Sequence, residues 1–318
     1  MGAHPRRAGG DEVSPRAVII DTDPGIDDAV AILAALGSPD FNVLGITTVA
    51  GNIGIATTTR NAGRVLALAR RGDVPVVAGA VGPLSRKGFD VAEIHGSDGL
   101  GGVAFPEPPT PPRPGHASIW LAETLMAHPI GAIDILALGP LTNIAQLVAD
   151  NPDATRRIGR IVAMGGAIRE PGNIGARSEF NMAADPEAAE AVLAAGLPLT
   201  LIPLDVTRKV RADRAYVAAL REAGTAASRA GADLIAAYFQ TTTGGESRPL
   251  HDPCVMLLAL APELFGCEDL PLAVDCSSGV DAGSLEPAAD GRRPVSVALT
   301  VDGAGALALL ADLLTRRS

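Results

Sequence analysis

The strongest constraint on this chain is a rhythm in which short apolar, β-like runs alternate with longer helical stretches. "AVII" (17–20), "FNVLGITTVA" (41–50), "VPVVAG" (74–79), "IDILALG" (133–139), "IGRIVAMGG" (158–166), "LPLTLIPLD" (197–205) and "PVSVALTVD" (294–302) read as strands. Between them "DDAVAILAAL" (27–36), "ATTTRNAGRVLALARR" (56–71), "ASIWLAETLMAH" (117–128), "LTNIAQLVAD" (141–150) and "DPEAAEAVLAAG" (185–196) read as helices, and "GALALLADLL" (305–314) closes the chain as another. Near-continuous apolar strands separated by helices belong to a parallel sheet covered on both faces. The expected fold is therefore α/β: an open, mostly parallel sheet with helices on both faces. The pattern predicts a single domain over 17–318 behind a disordered tail, 1–16. A mainly helical excursion between about 205 and 262 is expected to form a lid.

Composition narrows the class. Hydrophobic residues are 47% of 318 and aromatics only 3%, so the core is expected to be small-residue helix-on-sheet packing. A net charge of −10 argues against nucleic acid or an anionic membrane as partner and is compatible with a bound cation. Cys254, Cys267 and Cys276 form no CxxC pair and read as free buried thiols of a cytoplasmic protein. Arg6-Arg7 is followed by no apolar export segment, and no run is long enough to span a membrane.

In open parallel sheets, ligands sit beyond the carboxyl ends of the strands. Asp21 and Asp23 fall there after the first strand, with Asp27 and Asp28 at the start of the next helix. Helix capping explains one such carboxylate, at about 1 kcal/mol, and a solvated acidic turn is the bland reading of the rest. Carboxylates this close raise one another's pKa unless a cation intervenes. With no local His or Cys, the donor set favours Ca²⁺ or Mg²⁺ over Zn²⁺. A Mg²⁺-dependent phosphotransferase with an Asp-x-Asp loop is one alternative, weakened because Lys87 and Lys209 are the only lysines. Two long loops, 81–115 and 167–182, ask for a functional reason.

The motif "DTDPGIDDAVAILAAL" (21–36) resembles the signature of the inosine–uridine preferring nucleoside N-ribohydrolases, which use a tightly held Ca²⁺. "TTVAGN" (47–52), "IHGSDGLGG" (94–102), "ALGPLTNIA" (137–145), "MGGA" (164–167), "GNIGARSEFNMAADPEAA" (172–189) and "PLHDPCVM" (249–256) follow in the family's order and spacing. The likeness covers about residues 17–316.

The resemblance implies a Ca²⁺ held by Asp23, Asp28 and Asp252 and the backbone carbonyl of Leu138. It implies Asp23 as general base toward a water at the metal, and His251 as the acid that protonates the departing base. Asp21 is expected to support the loop without ligating. Asp27, Asn52, Asn173, Glu179 and Asn181 would bind the ribose, the family using the last three for the 5′, 3′ and 2′ hydroxyls. His95 and Phe180 would lie near the base, with Tyr238 and Phe239 as further aromatic candidates. Read without the resemblance, Asn173 is a turn residue after Gly172 and His251 an ordinary loop histidine. Trp120 reads as packing, and the arginines of 156–160 and 208–214 as solvated helix faces. The implied substrate is a small ribonucleoside, the His-containing type pointing to broad or pyrimidine-accepting specificity, and the implied assembly a homodimer or homotetramer. A non-catalytic Ca²⁺-dependent nucleoside or sugar binder on the same scaffold is the remaining alternative.

Overall fold

The computed structural model describes residues 14–241, 246–289 and 291–316; residues 1–13 of the expected tail lie outside the described residues. Eight strands form one sheet: β1 (Arg16–Thr22), β2 (Phe41–Thr48), β3 (Val76–Ala78), β4 (Ile133–Ala137), β5 (Ile158–Met164), β6 (Leu199–Ile202), β7 (Phe265–Leu270) and β8 (Val295–Val301). Their order is β3-β2-β1-β4-β5-β6-β8-β7. All neighbours are parallel except β7, which runs antiparallel to β8 at one edge. The expected open, mostly parallel sheet is thus present, and the chain order reverses direction in the sheet between β1 and β4. That switch opens a crevice beyond the carboxyl ends of those two strands, the place where such folds bind ligands.

Helix α1 (Ile26–Gly37) starts in that crevice and is buried from Ile26 to Ala35. Its apolarity on every face has a packing cause: it lies among the sheet, α2 (Ala226–Thr241), α3 (Pro253–Leu260) and α4 (Gly303–Thr315). The excursion expected as a lid is therefore two things. α3 is core, packed on α1 and β5, whereas α2 covers α1 and carries Tyr238 to the pocket. Short paired strands, Arg211–Asp213 and Ser247–Pro249, close the base of this region.

The Pro-rich run 106–114 crosses the free edge of β3. The Arg113 amide donates to the Val76 carbonyl at 2.8 Å, and Val77 bridges Arg113 in parallel. Glu107 is paired with Arg60 and Arg64. Prolines on either side of Arg113 lack N–H groups, so pairing stops after one bridge and the edge is capped. The arginines of 156–160 are not simply solvated: Arg157 donates to the Leu125 carbonyl and Arg160 to buried Asp134. Among the described residues no helix is long and apolar enough to cross a membrane.

Candidate active site

The turn between β1 and α1 buries all four aspartates. Thr22 Oγ1 donates to Asp28 Oδ1 at 2.6 Å, and the Gly25 amide donates to Asp28 Oδ2 at 2.9 Å. Asn52, just beyond β2, completes the turn from the neighbouring strand. Its backbone amide donates to Asp23 Oδ2 at 2.6 Å and its side-chain amide to Asp28 Oδ2 at 2.9 Å. Asp21 is tied to the neighbouring elements, as expected of a residue that supports the loop: Thr47 Oγ1 and Asn143 Nδ2 donate to its Oδ1, while its Oδ2 is buried with no hydrogen-bond partner. Burial lifts its pKa to about 6, against the pull of those two donors.

Asp23 occupies a slot between two glycines. A Cβ on Gly51 would lie 2.1 Å from Asp23 Oδ2, and one on Gly139 would lie 2.3 Å from Asp23 Oδ1. The close approach leaves Asp23 Oδ1 buried with no hydrogen-bond partner. A desolvated anionic oxygen without a donor is costly unless a proton or cation meets it.

Asp252 reaches this turn from the far end of the sequence, at the N-terminus of α3. One carboxylate oxygen each from Asp27, Asp28 and Asp252 lies within 4.8 Å of the others, a group able to hold a metal ion. The ligand set expected from the sequence had Asp23 in this group; in the structure the mutually close carboxylates include Asp27 instead, with Asp23 beside them. Burial raises the pKa of Asp23, Asp28 and Asp252, and the charges of neighbouring aspartates raise them further. The Leu138 carbonyl lines the same pocket and accepts from Asn181 Nδ2 at 2.6 Å.

The pocket above the carboxylates is lined by Asp27, Asn52, His95, Leu138, Asn173, Glu179, Phe180, Asn181, His251 and Asp252, so the residues singled out in sequence converge, with Asp23 and Asp28 buried beneath. Glu179 Oε2 accepts from the amides of Gly166 and Asn181, at 3.0 and 2.9 Å, which locks its rotamer. Burial pushes its pKa up to about 7, those amides opposing. His95 Nδ1 accepts from the Ile26 amide at 3.0 Å, so its Nε2 carries the ring proton in the neutral form. His251 Nδ1 sits 2.8 Å from Thr207 Oγ1. Burial lowers the pKa of His251, and the charge of Asp27 acts the other way.

The two aromatic candidates separate. Tyr238 lines the pocket with its ring near-parallel to His95, centroids 6.4 Å apart. Phe239 does not line it; the guanidinium groups of Arg214 and Arg248 lie over its ring, at 5.0 and 4.8 Å from the centroid. Trp120 is buried packing, as read.

The turn Leu204–Thr207 after β6 and the following Arg208 were missed as contributors. Asp205 accepts from the amides of Ile168 and Arg169, Thr207 holds His251, and Arg208 donates to loop carbonyls. Arg208 had read as part of a solvated face. The signal was positional: these polar residues follow a strand's carboxyl end, where the site lies.

A model of the family described as inosine-uridine preferring nucleoside hydrolase matches residues 18–308. The chain is 38% identical over 307 residues to the pyrimidine-specific ribonucleoside hydrolase RihA of Salmonella paratyphi B, covering 93% of this chain and 97% of that one. An uncharacterized protein of Schizosaccharomyces pombe is 38% identical over 272 residues, covering 84% of this chain and 87% of that one. Among solved structures, a plant nucleoside hydrolase superposes with a TM-score of 0.89 at 32% identity, covering 95% of this chain and 100% of that one. The purine-preferring ribonucleoside hydrolase of Gardnerella vaginalis gives 0.88 at 30% identity, covering 94% and 98%. By the model that matches residues 18–308, and in keeping with these identities and superpositions, the chain belongs to the inosine-uridine preferring nucleoside hydrolases.

Proposed function

We propose that this protein hydrolyses the N-glycosidic bond of ribonucleosides, releasing free base and ribose, with Ca²⁺ as its resident ion. The observation that carries the reading is the convergence of Asp252 with Asp27 and Asp28, far apart in the chain, under a pocket lined by amides, a carboxylate and two histidines. The donor set fits the ion: carboxylates and a carbonyl are hard oxygen ligands, and Asp23 Oδ1 is buried without a donor. A bound Ca²⁺ supplies positive charge that neutralises the carboxylates, orients the sugar diol and lowers the pKa of water. Asp23, Asp28, Asp252 and the Leu138 carbonyl are the proposed ligands, with Asp27 within reach of both ion and sugar.

Asp23 Oδ1 accepts the proton of the attacking water; its fixed slot between Gly51 and Gly139 aims it. Asp27, Asn52, Asn173, Glu179 and Asn181 hold the ribose hydroxyls, and their contacts strengthen as the ring flattens toward an oxocarbenium ion. His251 gives a proton to the leaving base. Burial lowers its pKa and the charge of Asp27 opposes that, so the Asp27 carboxylate favours the protonated imidazole that such a donor needs. His95, Phe180 and Tyr238 border the base. Within this reading the protein is a cytoplasmic homo-oligomer that serves nucleoside salvage; the free cysteines fit a reducing compartment. A phosphoryl-transfer reading lacks support, because no lysine or arginine is among the described residues that line the pocket.

The test is release of ribose from inosine, uridine, cytidine, adenosine and guanosine, with and without a calcium chelator. Ribose from at least one nucleoside, lost on chelation and restored by Ca²⁺, is expected. No ribose from any of the five would remove the proposal.

A further inference from the structure

We propose that Arg208 is a positioning residue that holds the sugar-binding loop in register and thereby sets discrimination for the nucleoside 5′-hydroxyl. The inference rests on the reading of Asn173 as a sugar ligand.

The loop 166–178 has little apolar packing at its tip, where Asn173 and Ile174 are exposed. Its shape is fixed internally. The Gly172 amide donates to the Ala176 carbonyl, and the Asn173 and Ile174 amides both donate to the Ser178 carbonyl. Gly172 must be glycine for this closure, since a Cβ would lie 2.3 Å from the Ser178 carbonyl oxygen. Asn173 Oδ1 accepts from the Phe180 amide at 2.9 Å, which leaves its NH₂ group for the pocket.

Internal bonds give the loop a shape but not a place. Its far end is held by Ser178, whose hydroxyl donates to the Asp281 carbonyl. Its near end is stitched to the segment after β6. The Leu204 amide donates to the Gly166 carbonyl, and Asp205 accepts from the amides of Ile168 and Arg169. Arg208 Nη1 and Nη2 then donate to the carbonyls of Pro171 and Gly172, at 2.6 and 3.0 Å, with Glu170 3.5 Å from the guanidinium. Arg208 is thus the last clamp before Asn173. A forked, planar cation bonding two successive carbonyls fixes direction as well as distance, which a lysine ammonium does not. Thr207, one residue earlier, holds His251, so one short segment references the sugar loop and the proposed acid to the same strand end.

The experiment compares kcat/KM for inosine and uridine with that for their 5′-deoxy and 2′-deoxy analogues, in wild type, Arg208→Met and Arg208→Lys. Arg208→Met is expected to lower kcat/KM for the parent nucleosides about tenfold and for the 5′-deoxy analogues less than about twofold, so that 5′-discrimination collapses. Discrimination against the 2′-deoxy analogues, which rests on the carboxylates and on Asn181, itself bonded to the Leu138 and Met164 carbonyls and not to the loop tip, stays within about twofold, and Arg208→Lys falls between. Should Arg208→Met fail to melt cooperatively, Arg208→Lys alone decides. Retained 5′-discrimination in an active variant overturns the inference, as does an equal loss on all substrates, which a general structural role would give. Wild type inactive on every nucleoside overturns instead the hydrolase reading beneath it.

Discussion

Replacing Asp252 by Asn is predicted to stabilise the metal-free protein and weaken its ion binding in one stroke. Oxygens of Asp27, Asp28 and Asp252 lie within 4.8 Å of one another. At that separation and an effective dielectric constant of about 20, two full charges repel by roughly 3.5 kcal/mol. Shared protons relieve part of this, and burial together with Asp27, Asp28 and Asp23 raises the pKa of Asp252 accordingly. An amide at 252 removes one charge and leaves a donor for Asp28, so a gain of about 1–2 kcal/mol is expected at pH 8, where the carboxylates repel most. For 318 residues, the usual unfolding entropy converts 1 kcal/mol to about 1.5 °C, giving a Tm rise of roughly 1.5–3 °C in chelator. With Ca²⁺ the sign reverses. A thousandfold excess over Kd stabilises by about 4.1 kcal/mol; a hundredfold loss of affinity cuts this to about 1.4 kcal/mol. The ion-induced Tm increment should fall from roughly 6 °C to roughly 2 °C. Thermal melts with chelator and with a Ca²⁺ series measure both. A variant with a lower Tm in chelator and an undiminished Ca²⁺ increment would refute the idea that these carboxylates conflict until an ion joins them.

The other predictions concern the pocket walls. Glu179 titrates near 7 when folded against 4.5 as its ordinary value, so the native state holds the proton more tightly; that stabilisation is full below about pH 4.5 and lost as pH rises through about 7. Unfolding free energies from urea titration should therefore fall by up to about 3 kcal/mol more in wild type than in Glu179→Gln between pH 4.5 and 7.5; parallel profiles would contradict this. Thr207→Val removes the partner of His251 Nδ1 and should lower kcat about tenfold with KM nearly constant, as steady-state kinetics will read. Gly139→Ala places a methyl against Asp23 Oδ1; a stability loss of about 1–3 kcal/mol in denaturant titration and a far larger fractional loss of kcat are expected.

The alternating pattern carried the fold, because strands buried on both faces leave long apolar runs. The edge strand Phe265–Leu270 left no such trace: "FGCEDL" is largely exposed and has no apolar face to alternate. The aspartate turn was legible because its parts are contiguous and charge cannot be hidden in a core. Asp252 lies more than two hundred residues on and was reached only through the resemblance. Tyr238 and Phe239 could not be separated in sequence, since neighbours on a helix point about 100° apart and only the docking of α2 on α1 says which faces inward. Asp205, Thr207 and Arg208 carried only their position after a strand's carboxyl end, and nothing in the sequence showed what they hold. Their partners are backbone carbonyls, amides and one histidine of remote segments, and a backbone group carries no sequence signature.

That difference in legibility reflects how the pocket is built. Its carboxylate floor comes from the β1–α1 turn, closed by Asn52 and Asp252, and is held by bonds within a few residues of the metal group. The wall proposed to bind the sugar comes from 166–181 and takes its position from the segment after β6. Leu138 joins them: it lines the pocket with Asp27 and Asp252, and its carbonyl accepts from Asn181 of the wall. Two subassemblies anchored to different strands respond to mutation independently, except through the residues they share. Asp252→Asn should therefore change ion affinity without touching 5′-discrimination, and Arg208→Met the reverse, whereas Asn181→Ala should disturb both. A double variant of Asp252 and Arg208 whose effects failed to add would show that floor and wall move as one body.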